Sequence, residues 1–405
     1  MHYSAIRGAL NITKRYKRFT EVTMQPKIAI LSTYPPTQCG IATFSQSLVN
    51  GLLSQNSNVD VVRLIDEPQP RPSKAVVHQH LAGRDLSVTR TVLNNYDVVI
   101  VQHEFGIFGG TDGDEALLLM SKIHIPMIVV LHTVLTTPTD HQRFVFERII
   151  ELADALVTMT NTGRENLLKH YNVNPALVHV IPHGSADLRS VSPKKVGSGQ
   201  PTILTWGLLS EGKGIEWGID ALAMLGDLTP KPRYIVAGQT HPKVKAREGE
   251  KYRNFLKERA ASNGVMNDLQ FIDTYLESAA LKALIQSVDV ILLPYDSSDQ
   301  VTSGVLVEAM VAGKPIISTR FPHALELLGD GSGALVDQFD PKGIADALRL
   351  LLTDRDHARR MQSRSEKKAD SFLWPTVSKD YLGLASSLWE KFFKEVPSFV
   401  VSRFS

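Results

Sequence analysis

Short runs of β-branched and aliphatic residues recur along the chain, and each is followed by a loop and then by apolar residues at helical spacing. Because a strand that is buried on both faces reads as a continuous apolar run, this alternation predicts parallel strands joined by helices. The predicted strands of the first half are 27–31, 98–102, 127–131, 155–160 and 178–181. Those of the second half are 202–206, 234–237, 269–272, 288–293 and 315–318.

The alternation stops after Ser185 in a stretch rich in Ser, Pro, Gly and Lys, which predicts a linker over 185–200. It separates two α/β domains, 25–184 and 201–371, each expected to be a Rossmann-like, doubly wound parallel sheet. Open parallel sheets bind ligands at the carboxyl ends of their strands, so a ligand cleft is expected between the two domains.

Composition supports two soluble cores and restricts the partners. The 405 residues are 43% hydrophobic and 21% charged, and the net charge of +2 argues against a nucleic-acid surface. The first 24 residues form a basic extension, which either contacts anionic lipid or an acidic polymer, or is a solvated tail. The single cysteine and the lack of a long apolar run favour a reducing cytoplasm, with peripheral contact to the inner face of a membrane as an option. The basic residues of the extension are Arg7, Lys14, Arg15, Lys17 and Arg18.

The segment 299–315 carries the most specific signal. Small residues at Thr302, Ser303 and Gly304 begin a predicted helix, where unpaired backbone N–H groups and the helix dipole favour a phosphate. Val305 belongs to the same turn, and Glu308 follows one turn later. The alternative is an ordinary amphipathic helix with Glu308 in a surface salt bridge.

In the first domain, the loop after the first predicted strand ends at Cys39 and Gly40. Gly40 permits a close backbone approach to a phosphate or a hydroxyl, while Cys39 is interpreted as a packing residue. The loop lacks the G-x-G-x-x-G pattern of nicotinamide binding, which argues against a dehydrogenase.

Two histidines, His103 and His132, end consecutive predicted strands of this domain and are expected at the rim of the sheet, where they would contact a sugar or handle a proton. The loop 102–115 is the expected acceptor site. The three acids of 109–115 would suit a hard cation, but a turn made of Gly and Asp needs no ion, and no metal is predicted. The expected acceptor-binding residues are His103, Glu104, Gly109, Gly110 and Asp112.

In the second domain, Gly207 and Lys213 lie in a glycine-rich segment between a predicted strand and a helix. Lys213 is placed to offer a positive charge to a diphosphate, although a plain surface lysine was the alternative. Gly238 ends the next strand and is also assigned to the donor site. His241 either faces the cleft or serves a turn.

Together these motifs resemble those of the family 4 retaining glycosyltransferases of the GT-B fold, from residue 27 to the C-terminus. The segment 372–377 is similar to the family's final F-x-W element, so the C-terminal helix in 372–405 is expected to cross back to the first domain. The matching positions are 35–40, His132, Gly207, Lys213, Gly214 and the segment 300–315.

The resemblance implies a nucleotide-sugar donor, guessed to be GDP-mannose or a UDP-hexose, and no further cofactor. Glu308 would bind the ribose, Lys213 the diphosphate and His132 the region of the transferred sugar. Family enzymes retain the anomeric configuration, use no confirmed covalent nucleophile and generally need no metal. The resemblance therefore assigns catalytic roles to His132, Lys213 and Gln300, and a glycan, a glycolipid or another hydroxyl compound as acceptor.

Three positions depart from the family pattern: Gln300 replaces the first glutamate, Leu208 an arginine, and Cys39 a glycine. Gln300 brings no negative charge near a cationic transition state. With Leu208 in place of arginine, the guanidinium group that would donate two hydrogen bonds to the diphosphate is missing. An active transferase with its own donor geometry is favoured. The alternatives are a catalytically degenerate nucleotide-sugar-binding regulator and, third, an epimerase.

Overall fold

The computed structural model describes residues 25–189 and 199–395. The chain divides into two compact units, one made of the residues up to Pro182 together with those from Trp374 onward, the other of His183–Leu373. The basic extension with Arg7 and Arg18, and most of the predicted linker, lie outside the described residues. Within the described ranges, no helix has the length and apolar character needed to cross a membrane.

The first unit contains a parallel sheet of seven strands in the order β3-β2-β1-β4-β5-β6-β7. Reversal of the strand order between β1 and β4 is the mark of a doubly wound sheet. The strands are β1 Ile28–Ser32, β2 Val59–Ile65, β3 Val76–Leu81, β4 Val98–His103, β5 Met127–Leu131, β6 Ala155–Thr158 and β7 Val178–Val180.

Helices cover both faces of this sheet. Alternate residues of β1 point to opposite sides, so that Ala29 and Leu31 enter one hydrophobic cluster while Ile28 and Ile30 enter the other. The helices are α1 Gly40–Ser54, α2 Ser87–Leu93, α3 Glu115–Met120, α4 Asp140–Leu152 and α5 Asn161–His170.

The second unit repeats the plan with six parallel strands in the order β10-β9-β8-β11-β12-β13, again between two hydrophobic clusters. The strands are β8 Thr202–Trp206, β9 Arg233–Ala237, β10 Leu269–Ile272, β11 Val290–Leu293, β12 Ile316–Thr319 and β13 Ala334–Val336. The helices are α6 Ile215–Ala223, α7 Pro242–Glu248, α8 Lys251–Ser262, α9 Ser278–Ser287, α10 Gly304–Val311, α11 Pro322–Leu328, α12 Pro341–Thr353 and α13 Arg355–Ala369.

The C-terminal helix, α14 Trp374–Glu395, belongs to the first unit. Its buried side chains Tyr381 and Trp389 enter the same cluster as Phe44 of α1. The amide of Gln55, which follows α1, also donates to Ser378 Oγ at 2.6 Å. A chain segment remote in sequence thus completes the core of the first unit.

All ten predicted strands are present, with ends within two residues of the prediction. Three further strands, β2, β3 and β13, were not predicted. In β2 the apolar run is broken by Asp60 and Arg63, and β3 carries polar residues because it is an edge strand with one neighbour. β13 has three residues, too few to give a pattern.

Candidate functional site

A glycine-rich loop follows β8, and it packs against the segment that follows β11. The N–H of Asp296 donates to the carbonyl of Gly212 at 3.0 Å. Gly214 has φ +60°, and a side chain there would overlap the carbonyl oxygen of Pro294. Glycine is therefore required at 214, and the close contact fixes the position of its neighbour Lys213.

Lys213 is half-buried, and its ammonium lies over the ring of Tyr295, 4.2 Å from the ring centroid. Within the described part of the chain it has no carboxylate or other hydrogen-bond acceptor. Burial lowers the pKa of Lys213 to about 8. Since a buried cation is stable only when it is paired, and a single aromatic face is a weak partner, this ammonium is suited to receive an anion.

Tyr295 forms a rigid support beneath this lysine. The side chain is 1% exposed and stacks on Phe321 with 5.4 Å between ring centroids. Its hydroxyl lies beside Ser303 and makes no hydrogen bond of ordinary geometry within the described residues. The tyrosine thus connects Lys213 with the residues that begin α10.

The start of α10 is only partly as predicted. Ser303 caps the helix through Oγ, which accepts from the N–H of Leu306 at 3.2 Å. The prediction of an unpaired N–H at Ser303 is wrong, because this group donates to His323 Nδ1 at 2.8 Å. Gly304 and Val305 come next, in the first helical turn, where N–H groups have no acceptor within the helix.

A second histidine, His183, covers Gly304. A side chain at Gly304 would meet the His183 ring at 2.7 Å, so glycine is required for this contact. His183 Nδ1 is 2.8 Å from the carbonyl of Gly184, and burial lowers the pKa of His183 to about 4. The ring is therefore neutral at pH 7.

Glu308 is half-buried inside α10, and its Oε2 accepts from the indole Nε1 of Trp206 at 3.2 Å. Burial raises the pKa of this carboxyl group. No salt bridge to Glu308 is present among the described residues, which contradicts the alternative of a surface ion pair. Trp206 at the end of β8 orients the carboxylate instead.

Gly207 lies beside α10, because a side chain at this residue, which has φ +120°, would come 3.7 Å from Val305 Cγ2. Gly238 was predicted to bind the donor, and the structure corrects this assignment. The N–H of Gly238 donates to Ile272 at 2.9 Å, its carbonyl accepts from Arg253 at 3.0 Å, and a side chain there would overlap Gly207. Both of its backbone groups are used inside the domain. Close packing of two loops therefore explains this glycine.

His241 serves a turn, the second of its two predicted roles. It is the N-cap of α7, and its Nδ1 accepts from the N–H of Lys243 at 3.2 Å. His241 Nδ1 is therefore used to cap a short helix.

In the first unit, His132 follows β5 and is half-buried. Its Nε2 forms a 2.7 Å hydrogen bond with the side-chain amide of Gln102, and its ring meets Phe44 edge-on at 5.0 Å. These two contacts fix the plane of the imidazole.

The prediction for His103 is wrong. This residue ends β4 and is 1% exposed, with its ring packed between Phe105 and Phe146 at 5.2 and 5.6 Å. Its Nδ1 is buried without a hydrogen-bond partner in the described structure, and burial lowers its pKa to about 4. His103 is a neutral core residue, because β4 is central in the sheet and the 104–115 segment covers its end.

The predicted acceptor loop makes hydrogen bonds within itself and with neighbouring segments, among them the contacts of Glu115 with His80 and with the N–H of Gly83. Glu104 accepts from the N–H of Gly106 at 2.7 Å, and the carbonyl of Gly109 accepts from the N–H of Glu115 at 3.2 Å. Gly110 has φ +82° and precedes a short 3-10 turn.

Asp112 of this turn has φ +49° and pairs with His141 at 2.9 Å. Among the described residues, no group of three acids, histidines or cysteines has the geometry of a metal site.

Cys39 has a more specific role than packing. It is the N-cap of α1, and its Sγ accepts from the N–H of Ala42 at 3.4 Å. A side chain at Gly40 would meet no atom within 4 Å, so Gly40 borders open space. The departure from glycine at 39 is thus compatible with a regular helix start.

Four residues of the second unit that lie at this site were not predicted from the sequence: His183, Trp206, Tyr295 and His323. Trp206 and Tyr295 end or follow apolar strands and read as core residues. Both histidines lie next to a proline, in Pro182-His183 and Pro322-His323, which was the signal available. Only the fold brings all four to α10.

Two family models match the chain. The model described as Glycosyltransferase Family 4 matches residues 39–185, and the one described as Glycosyl transferases group 1 matches residues 189–368. The first covers most of the first sheet, and the second covers nearly all of the second unit.

Curated relatives include D-inositol 3-phosphate glycosyltransferases. The protein of Corynebacterium glutamicum is 27% identical over 350 residues, which cover 79% of this chain and 80% of the relative. That of Corynebacterium urealyticum is 25% identical over 373 residues, covering 85% and 84%.

Solved structures share the fold. The Anabaena protein HepE in complex with UDP and glucose superposes with a TM-score of 0.71 at 15% identity, covering 89% of this chain and all of that one. Sucrose-phosphate synthase from Thermosynechococcus elongatus gives 0.74 at 16% identity, covering 90% and 99%.

Proposed function

Because the chain belongs to the family 4 glycosyltransferases, with the GT-B fold and a nucleotide sugar as donor, we propose that it transfers a hexosyl unit to a hydroxyl group with retention of configuration and without a metal ion. The main supporting observation is the ammonium of Lys213, which is half-buried over Tyr295 with no anionic partner in the described structure. A diphosphate supplies that partner.

The donor diphosphate binds to Lys213 and to the N–H groups of Gly304 and Val305 at the start of α10. Helix N-termini favour anions through their unpaired donors and the helix dipole, and the lysine adds a full charge. Glu308, oriented by Trp206, accepts hydrogen bonds from the ribose hydroxyls. These groups all belong to the second unit.

In the proposed reaction the bond from the anomeric carbon to the diphosphate oxygen breaks, and the acceptor oxygen forms its new bond on the same face. The acceptor proton passes to the departing diphosphate. Lys213 and the α10 N–H groups stabilise the charge that develops on this leaving group, which preorganised donors do well in a site of low dielectric constant. His132 contacts the sugar being transferred, and Gly40 leaves room beside the start of α1.

We propose a UDP-hexose or GDP-mannose as donor. The acceptor is a glycan, a glycolipid or another hydroxyl compound, bound near Glu104 and Asp112. D-inositol 3-phosphate belongs among the test acceptors, because relatives of the chain carry its name.

The test is incubation of the purified protein with UDP-, GDP- and ADP-sugars, with and without chelator and acceptors, with measurement of nucleoside diphosphate release and donor binding. Release that depends on one donor and survives chelation is expected. The anomeric configuration of the product, read by NMR, tests retention. Tight donor binding without release, across the acceptor panel, would instead support the regulator. Release that stops with chelator would contradict the metal-free mechanism.

A further inference from the structure

The peptide group between Thr302 and Ser303, just before α10, is hydrogen-bonded on both sides. Its carbonyl oxygen, on Thr302, accepts from the side-chain amide of Gln300 at 3.1 Å. Its N–H, on Ser303, donates to His323 Nδ1 at 2.8 Å. The backbone N–H of His323 in turn donates to the carbonyl of Gln300 at 3.3 Å. Two hydrogen bonds therefore join the loop 300–303 to the first turn of α11, and the third holds the loop together.

The orientation of Ser303 determines how α10 begins. Its Oγ accepts from the N–H of Leu306, and its carbonyl accepts from the N–H of Val307 at 3.3 Å. With the N–H bound to His323, every polar group of Ser303 is used. A rotation of the preceding peptide would therefore redirect the first N–H groups of the helix.

The chemistry of this peptide restricts the side chains at 300 and 323. A carbonyl oxygen only accepts, so residue 300 must donate, which glutamine does and an ionised glutamate does not. A backbone N–H only donates, so Nδ1 of His323 must be unprotonated. His323 is 3% exposed, and burial lowers its pKa to about 4, which keeps the ring neutral above pH 5.

We propose that Gln300 and His323 are a coupled pair of positioning residues, which hold the 302–303 peptide and thereby aim the first N–H groups of α10 at the donor diphosphate. The side-chain amide of Gln300 supplies the donor that the carbonyl of Thr302 accepts, which an ionised glutamate at 300 would not supply. The inference rests on the proposed function of α10 as a diphosphate site. It gives Gln300 a positioning role instead of the catalytic contact expected from the sequence.

Gln300→Glu is the first test, with Gln300→Met as the matched control that removes the donor without adding a charge. Calorimetry with UDP and with GDP, from pH 8 to pH 5, compares each variant with the wild type at the same pH. At pH 8 we expect about tenfold weaker binding for Gln300→Glu, because a carboxylate then faces a carbonyl oxygen, and about threefold for Gln300→Met.

The pH dependence separates positioning from a general loss of structure. As the pH falls, the new carboxyl group takes up a proton and donates to Thr302, so the Gln300→Glu deficit should shrink to within threefold at pH 5, while the Gln300→Met deficit stays constant. The titratable groups around the site are Asp299 on the same loop, His183 beside α10, and His323 and Glu326 on α11. A Gln300→Glu variant that binds as tightly as wild type at pH 8, or one that stays folded with an unchanged deficit at pH 5, would overturn the proposal.

The second test follows the Ser303 N–H itself and needs no nucleotide. His323→Asn keeps an acceptor near the position of Nδ1, whereas His323→Leu removes it. Hydrogen exchange measured by mass spectrometry on peptides that resolve residue 303 should be at least tenfold faster in the leucine variant and within threefold of wild type in the asparagine variant. Equal exchange in wild type and His323→Leu contradicts the pair. A different outcome is the expected exchange pattern in a wild-type protein that binds neither UDP nor GDP. It would contradict the diphosphate role of α10, and therefore the functional part of the inference. The hydrogen bonds of Gln300 and His323 to the 302–303 peptide would still be supported.

Discussion

The two units have the same architecture but differ in how their buried cations are paired. In the first unit, Arg63 is fully buried and its guanidinium donates to four neutral oxygens, and Asp112 pairs with His141. In the second unit, the ammonium of Lys213 is also removed from water, but its only partner in the described structure is the aromatic ring of Tyr295. In the proposed function, the diphosphate of the donor supplies the anionic partner that Lys213 lacks within the described residues.

This difference agrees with a division of tasks. In the proposed function, the loop 102–115, whose Glu104 and Asp112 side chains are hydrogen-bonded before any ligand binds, offers the acceptor a preformed surface. A site for a diphosphate instead benefits from a cation that is desolvated before the ligand arrives, because water no longer has to be removed from it on binding.

Replacing Lys213 by Met should have the largest effect. We expect about 100-fold weaker binding of the nucleoside diphosphate, since a charge-assisted interaction is worth on the order of 2–3 kcal/mol. Calorimetry measures it. The control is Lys342→Met, which removes an exposed lysine paired with Asp346 and should leave binding unchanged. Equal binding in both variants would rule out Lys213 as the diphosphate ligand.

His132→Ala should lower turnover on the order of 30-fold while leaving nucleotide affinity within about twofold, because its proposed contact is to the sugar in the transition state. Steady-state kinetics and calorimetry on the same preparation separate the two quantities. His124→Ala, at an exposed histidine of the first unit, is the control. A change in affinity with unchanged kcat would place His132 with the nucleotide instead.

Nucleotide affinity should fall as the pH rises above about 8. Below this value Lys213 is protonated in the free protein. Above it, binding must include uptake of a proton, so affinity drops by up to about tenfold per pH unit until the higher pKa of the complex is reached. Measurement between pH 7 and 9 tests this, and the dependence should be absent from Lys213→Met. An identical slope in wild type and variant would assign the titration to another group.

His103→Leu should have the smallest effect. The ring is buried and neutral and its Nδ1 has no partner in the described structure, so an apolar side chain of similar volume should change the free energy of unfolding by less than about 1 kcal/mol. Chemical denaturation and kcat are the measurements. Loss of activity in a stable His103→Leu protein would return this histidine to the acceptor site and weaken the contrast between the units.

Three glycines show what a sequence motif can predict and what it cannot. Gly207, Gly214 and Gly238 were all predicted from strand-to-loop patterns, and all three have positive φ. Gly207 lies beside α10. Gly238 instead packs against Gly207, and this contact requires a glycine. A pattern of this kind identifies a position where the backbone requires glycine. Only the tertiary structure shows whether a ligand or another loop imposes that requirement.

The sequence by itself determined the alternation of strands and helices, the two domains, the family and the positions of Lys213 and Glu308, because apolar periodicity and residue spacing are local properties of the chain. Tertiary structure alone decided which polar groups remain available. It buried His103 under Phe105 and Phe146, while His132 stayed half-buried, and it turned Gln300 toward the carbonyl of Thr302. The physical reason is that hydrogen-bond satisfaction and desolvation depend on neighbours that are distant in sequence, and those neighbours exist only once the sheets have formed.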